Sequence, residues 1–250
     1  MAATRRTTPL ARPPGPHSCP RPVRLDVLAR APYFAGLSPE ALDAVERRTR
    51  ERAYGPGETV HRIGDDAGYL FVLASGQVKV VRPATDSQDV LVDVVSPGGL
   101  VGSLAALGDT TYPDTAETLT PACALSLSAA DFRAVLREHP QVALAVLDDV
   151  ARRLEQAHDA LRRMAGASVE SRVASTLLTL ARAVGEERPG GGTLLQVPLT
   201  RTDLASMTGA TPESVSRVMS RLRGEGIIDT GRRWTALVDH GRLTRLAGTP

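Results

Sequence analysis

The apolar positions of the chain change period several times, and each change marks an element. Residues 1 to about 24 are rich in Pro, Arg and Thr, hold no acidic residue and have little apolar surface to bury, which is the composition of a disordered arm. From about Leu25 to Arg52 the apolar spacing is helical. Ser38-Pro39-Glu40 supplies a start signal, with Ser at the N-cap, Pro at the first helical position and Glu in the first turn, so a short helix through Val45 is expected. The pattern then turns to short runs of β-branched and aromatic residues at Thr59-Val60, Tyr69 to Leu73, Val78 to Val81, Val90 to Val95 and Ala124 to Leu127. Gly55, Gly57, Gly64, Gly68, Gly76, Gly98, Gly99 and Gly102 punctuate them at turn-like spacing. Short strands with frequent turns predict a small barrel or roll.

From Pro140 to Met164 the period lengthens. Leu147, Val150, Leu154, Ala157, Leu161 and Met164 recur at alternating steps of three and four, an a/d heptad seam. A long helix with such a seam pairs with a second helix or lies on its own roll. The unbroken length and the charged flanks, Asp148, Asp149, Arg152, Arg153, Arg162 and Arg163, favour a coiled-coil dimer. Gly166-Ala167-Ser168 ends that helix as a hinge. Val169 to Val184 then reads as an amphipathic helix, and Gly185 to Thr193 as a loop.

The most informative stretch is Leu199 to Ile228. Thr200 caps a helix from Arg201 to about Met207, with Asp203 three residues on. Thr208-Gly209-Ala210 makes a turn in which Gly209 supplies a left-handed backbone. Thr211 is a second N-cap, followed by Pro212 and Glu213. Val215, Val218, Met219 and Leu222 fall on one face of this second helix, and Glu213, Ser216, Arg217 and Ser220 on another. One face packs, and the other has major-groove chemistry. An arginine fork bonds guanine O6 and N7, a carboxylate accepts from cytosine N4, and serine bonds either kind of group. Thr200, Arg201, Thr211, Ser214, Arg221, Arg223, Arg232 and Arg233 are placed to meet phosphates, which set affinity more than sequence preference. Strand-like Ile227-Ile228 and Trp234 to Val238 follow, the order of a winged helix-turn-helix.

Bulk composition changes this picture little. The formal net charge of the 250 residues is +2, so a nucleic-acid partner rests on local placement. Lys79 is the sole lysine, a bias that a GC-rich genome explains without selection for phosphate binding. No apolar run approaches the roughly 18 residues of a membrane span, and the arginines of the arm precede no apolar signal core; the expectation is a cytosolic protein with no membrane partner. The two cysteines, Cys19 and Cys123, suggest no disulfide framework.

The residues from Leu199 to Leu222, followed by Gly226-Ile227-Ile228, resemble the helix-turn-helix signature of the Crp-Fnr family of transcriptional regulators. Gly57-Glu58, Gly64-Asp65, Leu70 to Leu73 and Gly76-Gln77-Val78 resemble its β-roll. Pro97-Gly98-Gly99 to Leu107 is similar to its ligand cassette, and Pro140 to Met164 to its dimerisation helix. The resemblance implies an α+β protein: a basic arm over 1–24, a cyclic-nucleotide-binding-like double-stranded β-helix or jelly roll over 25–139, a dimerisation helix and hinge over 140–166, and a winged helix-turn-helix over 167–250. It implies a homodimer on a palindromic double-stranded operator, with RNA polymerase as a further partner. Glu213 and Arg217 match the family's base-reading glutamate and arginine. Ser216 matches the Fnr branch, which implies a TTGAT-like half-site, although Pro212 stands where the catabolite-activator branch has arginine.

The sensor departs from that branch. The resemblance places an effector pocket at Gly102, Ser103, Leu104, Asp114, Thr115 and His158. Ser103 stands at the glutamate position, Tyr112-Pro113-Asp114 in the arginine-serine region, and Ala157-His158 for the Thr-Ser pair. Gly98 through Thr120 holds no Lys or Arg but does hold Asp109, Asp114 and Glu117, so a phosphate buried there lacks its counter-charge. Cyclic nucleotide is therefore not expected. Two thiols do not make an Fnr-type iron-sulfur site, and Cys123 reads as a buried small apolar residue. Haem stays open through His61 or His158, each with a solvated surface histidine as the plain alternative. No phosphate loop, zincin or nucleophile-elbow motif supports an enzyme. The remaining rival is a small-molecule or haem sensor module whose helix-turn-helix serves only packing.

Overall fold

A computed structural model of the chain describes residues 19–83, 89–102, 111–188, 191–231 and 234–248. The chain divides into two compact units at Arg162/Arg163.

The first unit begins with α1 (Arg21–Arg30) and α2 (Pro39–Glu46), continues through β1 (Arg50–Tyr54), β2 (Thr59–His61), β3 (Tyr69–Ser75), β4 (Val78–Pro83), β5 (Asp89–Val95), β6 (Leu100–Val101), β7 (Thr115–Thr118) and β8 (Ala122–Ser128), and ends with α3 (Ala129–Glu138) and α4 (Pro140–Gly166). The strands form two four-stranded antiparallel sheets, β1-β8-β3-β6 and β2-β7-β4-β5. The inner strands of the first sheet, β3 and β8, are buried on both faces. Leu70 and Val72 of β3 and Leu125 and Leu127 of β8 share a core with Leu28, Phe132 and Val142 of the helices and Phe34 of the turn after α1. Phe71, Leu73, Ala122 and Ala124 from the same strands meet Val78, Val80, Val95 and Ala116 of the second sheet. Alternate side chains enter different cores, so β3 and β8 are near-continuous apolar runs. This is a jelly roll flanked by helices.

The expected arm is shorter than its composition suggests, because Arg21 to Arg24 belong to α1. Arg24 Nε donates to Glu46 Oε1 at 2.7 Å and Arg21 Nε to Glu46 Oε2 at 3.2 Å. These arginines are therefore held by a buried carboxylate on α2. Ser38 caps α2 as expected, accepting the Ala41 amide at 3.3 Å. Residues 1–18 lie outside the described residues.

The second unit comprises α5 (Val169–Val184), β9 (Gly185–Glu187), β10 (Thr193–Leu195), α6 (Arg201–Thr208), α7 (Pro212–Gly224), β11 (Ile228–Gly231), β12 (Trp234–Leu237) and α8 (His240–Ala247). Its sheet runs β11-β12-β10-β9. The expected loop after α5 thus holds the paired strands β9 and β10, in register from Gly185↔Leu195 to Glu187↔Thr193. α5 and α8 bury Val173, Leu177, Leu180 and Leu243. Ser171 Oγ ties their ends by donating to the Ala247 carbonyl at 3.1 Å.

Candidate nucleic-acid interface

Both helices of the helix-turn-helix begin where their caps require. Thr200 Oγ1 accepts the Asp203 amide at 3.0 Å while Asp203 Oδ2 accepts the Thr200 amide at 2.7 Å, a reciprocal capping box. Gly209 ends α6 in the left-handed region, with φ of 56°, a conformation that costs a side chain but not glycine. Thr211 Oγ1 then accepts the Ser214 amide at 3.3 Å and starts α7.

Within α7, Val215, Met219 and Leu222 are buried and Val218 half-buried, whereas Glu213, Arg217, Ser220, Arg221 and Arg223 are exposed and Ser216 half-exposed. The expected division into a packed face and an exposed face is present. Arg217 Nη2 donates to Ser214 Oγ at 3.2 Å, which holds the guanidinium near the helix start. A hydrogen bond from its own amide, then one from the Thr211 hydroxyl, and the charge of Arg217 hold the Glu213 carboxyl below its usual range. Glu213 therefore presents an ionised acceptor at neutral pH.

The expected phosphate ligands divide. Thr200, Thr211 and Arg223 are exposed, Ser214 is engaged with Arg217, and Arg221 forms an ion pair with Glu170 of α5. Arg201 is half-buried beside a cavity of about 260 Å³ lined by Leu177, Leu204 and Trp234; burial lowers its pKa. Arg232 and Arg233 fall outside the described residues, between the paired ends Gly231 and Trp234 of the wing.

One supporting residue escapes the linear pattern. Arg172 of α5 donates through Nε to the Thr208 carbonyl at 2.7 Å and through Nη1 to the Ala167 carbonyl at 2.6 Å. It braces the turn from behind. Its turn partner lies 36 residues away, beyond any local motif.

In the roll, the expected effector residues do not share one set of contacts. Asp114 Oδ1 bonds His61 Nε2 at 2.8 Å, and Arg82 approaches Asp114 Oδ2 at 3.6 Å. Thr115 Oγ1 accepts the Ile63 amide at 3.1 Å. Gly102 has φ of 72° and lies against Tyr112, while His158 is exposed on α4. Ser103 and Leu104 lie outside the described residues.

Three expectations need correction. His61 is not a solvated surface histidine: it is 5% exposed and stacks on Tyr112 with centroids 4.0 Å apart, because Asp114 satisfies its Nε2. Cations do approach the Gly98–Thr120 segment, but from β4: Arg82 meets Asp114, and Lys79 meets Glu117 at 3.3 Å. Cys123 is buried, as expected, yet it is not merely an apolar filler, since its sulfur meets that of Cys19.

Along α4, Val142 and Val146 are buried in the roll core, whereas Leu147, Val150 and Leu154 are 63%, 38% and 56% exposed. Ala157 is exposed as well. The side chains of Leu161 and Met164 lie outside the described residues.

Residues 51–139 match the model of the cyclic nucleotide-binding domain, and residues 171–246 that of the Crp-like helix-turn-helix domain. The chain is similar to the CRP-like cAMP-activated global transcriptional regulator of Mycobacterium tuberculosis, at 28% identity over 89% of this chain and 99% of that protein. It is also similar to the probable transcriptional regulator flp of Lacticaseibacillus casei, at 32% identity over 85% of this chain and 90% of that one. Among solved structures, a CRP-family transcriptional regulator from Thermus thermophilus aligns with a TM-score of 0.65 at 28% identity, covering 79% of this chain and 97% of that one.

Proposed function

The chain belongs to the Crp-Fnr family and is a DNA-binding transcriptional regulator, and from that premise we propose that it binds a palindromic operator as a homodimer through Glu213, Ser216 and Arg217. The observation that carries this reading is the orientation of α7. Its apolar face is buried while Glu213 and Arg217 stand exposed in the first two turns, the part of a recognition helix that enters the major groove. The Glu-x-x-Ser-Arg spacing favours an Fnr-like half-site. Thr200, Thr211 and Arg223 serve phosphates, with Arg201, Arg221, Arg232 and Arg233 as further candidates. Ser214 sets the arginine that reads.

Dimerisation runs through α4. Leu147, Val150 and Leu154 form an exposed apolar row continuous with Ala157, and a second copy of the same helix covers such a row. RNA polymerase is the further partner in this reading, and the cytoplasm the place of action, since operator DNA and polymerase are both there.

The chemistry of the roll does not suit a cyclic nucleotide. Gly98 through Thr120 contains no Lys or Arg, and among the described residues Lys79 and Arg82, which reach it from β4, are already paired with carboxylates. Accordingly, cyclic AMP leaves operator affinity unchanged in a fluorescence-anisotropy titration.

The decisive experiment is Arg217→Ala. It loses about 1–3 kcal/mol of operator preference per half-site, read as competition between operator and scrambled DNA at fixed salt. Undiminished preference overturns the assignment of Arg217.

A further inference from the structure

The chain has two cysteines, and the fold brings them together. Cys19 precedes α1 and Cys123 lies on β8, yet their Sγ atoms are 2.8 Å apart with both thiols free. Cys123 is paired in register with Ala53 of β1 on one side and Ser75 of β3 on the other. Cys19 lies outside any strand, held by its amide donating to Glu51 Oε1 at 2.7 Å and by its carbonyl accepting from Arg24 Nη1 at 2.9 Å. The same Glu51 oxygen accepts from Cys123 Sγ at 3.8 Å. Two buried thiols and one half-buried carboxylate therefore converge.

We propose that Cys19 and Cys123 are a redox pair, oxidised by a hydroperoxide to an intramolecular disulfide with Glu51 accepting the proton of Cys123. A disulfide bond is roughly 2.05 Å long, so the sulfurs need approach by less than about 1 Å. Two thiolates sharing a tetrahedral zinc ion stand roughly 3.8 Å apart at metal–sulfur distances of about 2.3 Å, wider than the pair is set. The spacing thus favours a sulfur–sulfur bond over a metal bridge.

The chemistry balances in two steps. Cys19 sulfur attacks a peroxide oxygen, the O–O bond breaks, and with hydrogen peroxide the products are Cys19 sulfenic acid and water. Cys123 Sγ then attacks Cys19 Sγ, forming the S–S bond and breaking S–O. Its proton passes through Glu51 to the departing hydroxide, which leaves as a second water. Two electrons leave the thiols and reduce the peroxide. The order follows from contacts: Cys123 Sγ is the sulfur that lies against Glu51 Oε1, so its proton has an acceptor in place for the second step, and burial raises its thiol as well. Cys19 sulfur reacts first.

Closure would join the segment before α1 to a central strand across about a hundred residues. Val142 and Val146 of α4 belong to the same buried cluster as both cysteines, so the bond stiffens the core on which α4 begins. This inference stands apart from the DNA-reading assignment, because its readout is thiol chemistry.

The test uses the full chain, reduced and then treated with hydrogen peroxide. Expected are loss of both alkylatable thiols, an intact mass about 2 Da lower, a monomeric band on a non-reducing gel, and restoration by dithiothreitol. Cys19→Ser and Cys123→Ser each abolish the mass loss. Glu51→Gln accumulates a dimedone-trappable sulfenic acid on Cys19, showing the slowed second step. The proposal is overturned by two thiols that persist through peroxide treatment, by a disulfide between chains, or by stoichiometric zinc that protects both thiols. If Glu51→Gln does not fold, the cysteine variants still decide whether the pair forms.

Discussion

Arg172 Nε donates to the carbonyl oxygen of Thr208 at 2.7 Å, and this bond fixes the turn of the helix-turn-helix to α5. The same guanidinium bonds the Ala167 carbonyl just ahead of α5. Replacing it removes these two charge-assisted bonds and a longer one to the Gly209 carbonyl at 3.5 Å, at a half-buried position. Arg172→Met is expected to destabilise the C-terminal unit by about 1–2 kcal/mol, read by urea denaturation, and to weaken operator binding. Arg172→Lys recovers only part of both, since one ammonium cannot span the carbonyls as the planar fork does. Equal stability of Arg172→Met and the parent would show that packing alone holds the turn.

Glu46 predicts how the roll responds to acid. Burial by itself raises a carboxyl pKa, but the hydrogen bonds and charges of Arg24 and Arg21 outweigh it and hold Glu46 below its ordinary value of 4.5. A depressed folded-state pKa means that the stabilisation is fully present above the unfolded value and fades as pH falls through the folded one. Thermal scans of the parent should therefore lose part of their midpoint below about pH 4.5. Glu46→Gln should start lower at pH 7 and show a shallower acid decline. An identical acid slope in both proteins would assign the decline to other carboxylates.

What could be read along the chain was whatever a local pattern encodes. Ser38-Pro39 and Thr211-Pro212-Glu213 announced the starts of α2 and α7 because capping involves residues three apart. The exposed apolar row of Leu147, Val150 and Leu154 on α4 was legible because helical period alone defines it. Arg21 and Arg24 look like tail residues until Glu46 meets them. β1, with the sequence Arg-Glu-Arg-Ala-Tyr, lacks apolar alternation and exists through its pairing with β8. At the candidate interface, the exposed face of α7 was visible in its period and its neighbours on α5 were not: Arg172 and Glu170 lie on another helix. His61 with Asp114, and Cys19 with Cys123, are likewise products of topology, separated by 53 and 104 residues.

Leu154 tests the seam. It is 56% exposed, in line with Leu147 and Val150, so a charge there costs the separate chain little but places two like charges inside a paired helix. Leu154→Glu is expected to sediment as a monomer with an unchanged circular dichroism spectrum. Its operator affinity should fall by at least tenfold, about 1.4 kcal/mol, because half-sites are then bound singly. A dimer of undiminished stability would move the interface elsewhere.

The ion pair between Arg221 and Glu170 restrains a side chain of the proposed DNA surface. Arg221 is half exposed, with 51% of its side chain accessible, and Glu170 is the less accessible partner at 25%. A phosphate that recruits Arg221 must compete with this carboxylate, and the carboxylate also repels the backbone. Glu170→Gln removes both effects while keeping the side-chain shape. Nonspecific affinity should rise, and the slope of log K against log salt should steepen by about one ion per half-site. Preference for operator over scrambled DNA should stay the same, because phosphate contacts carry no base information. A steeper slope combined with altered base preference would instead place Arg221 among the reading residues. No change in either would leave the pair as a surface contact outside the DNA footprint, where an exposed ion pair contributes little.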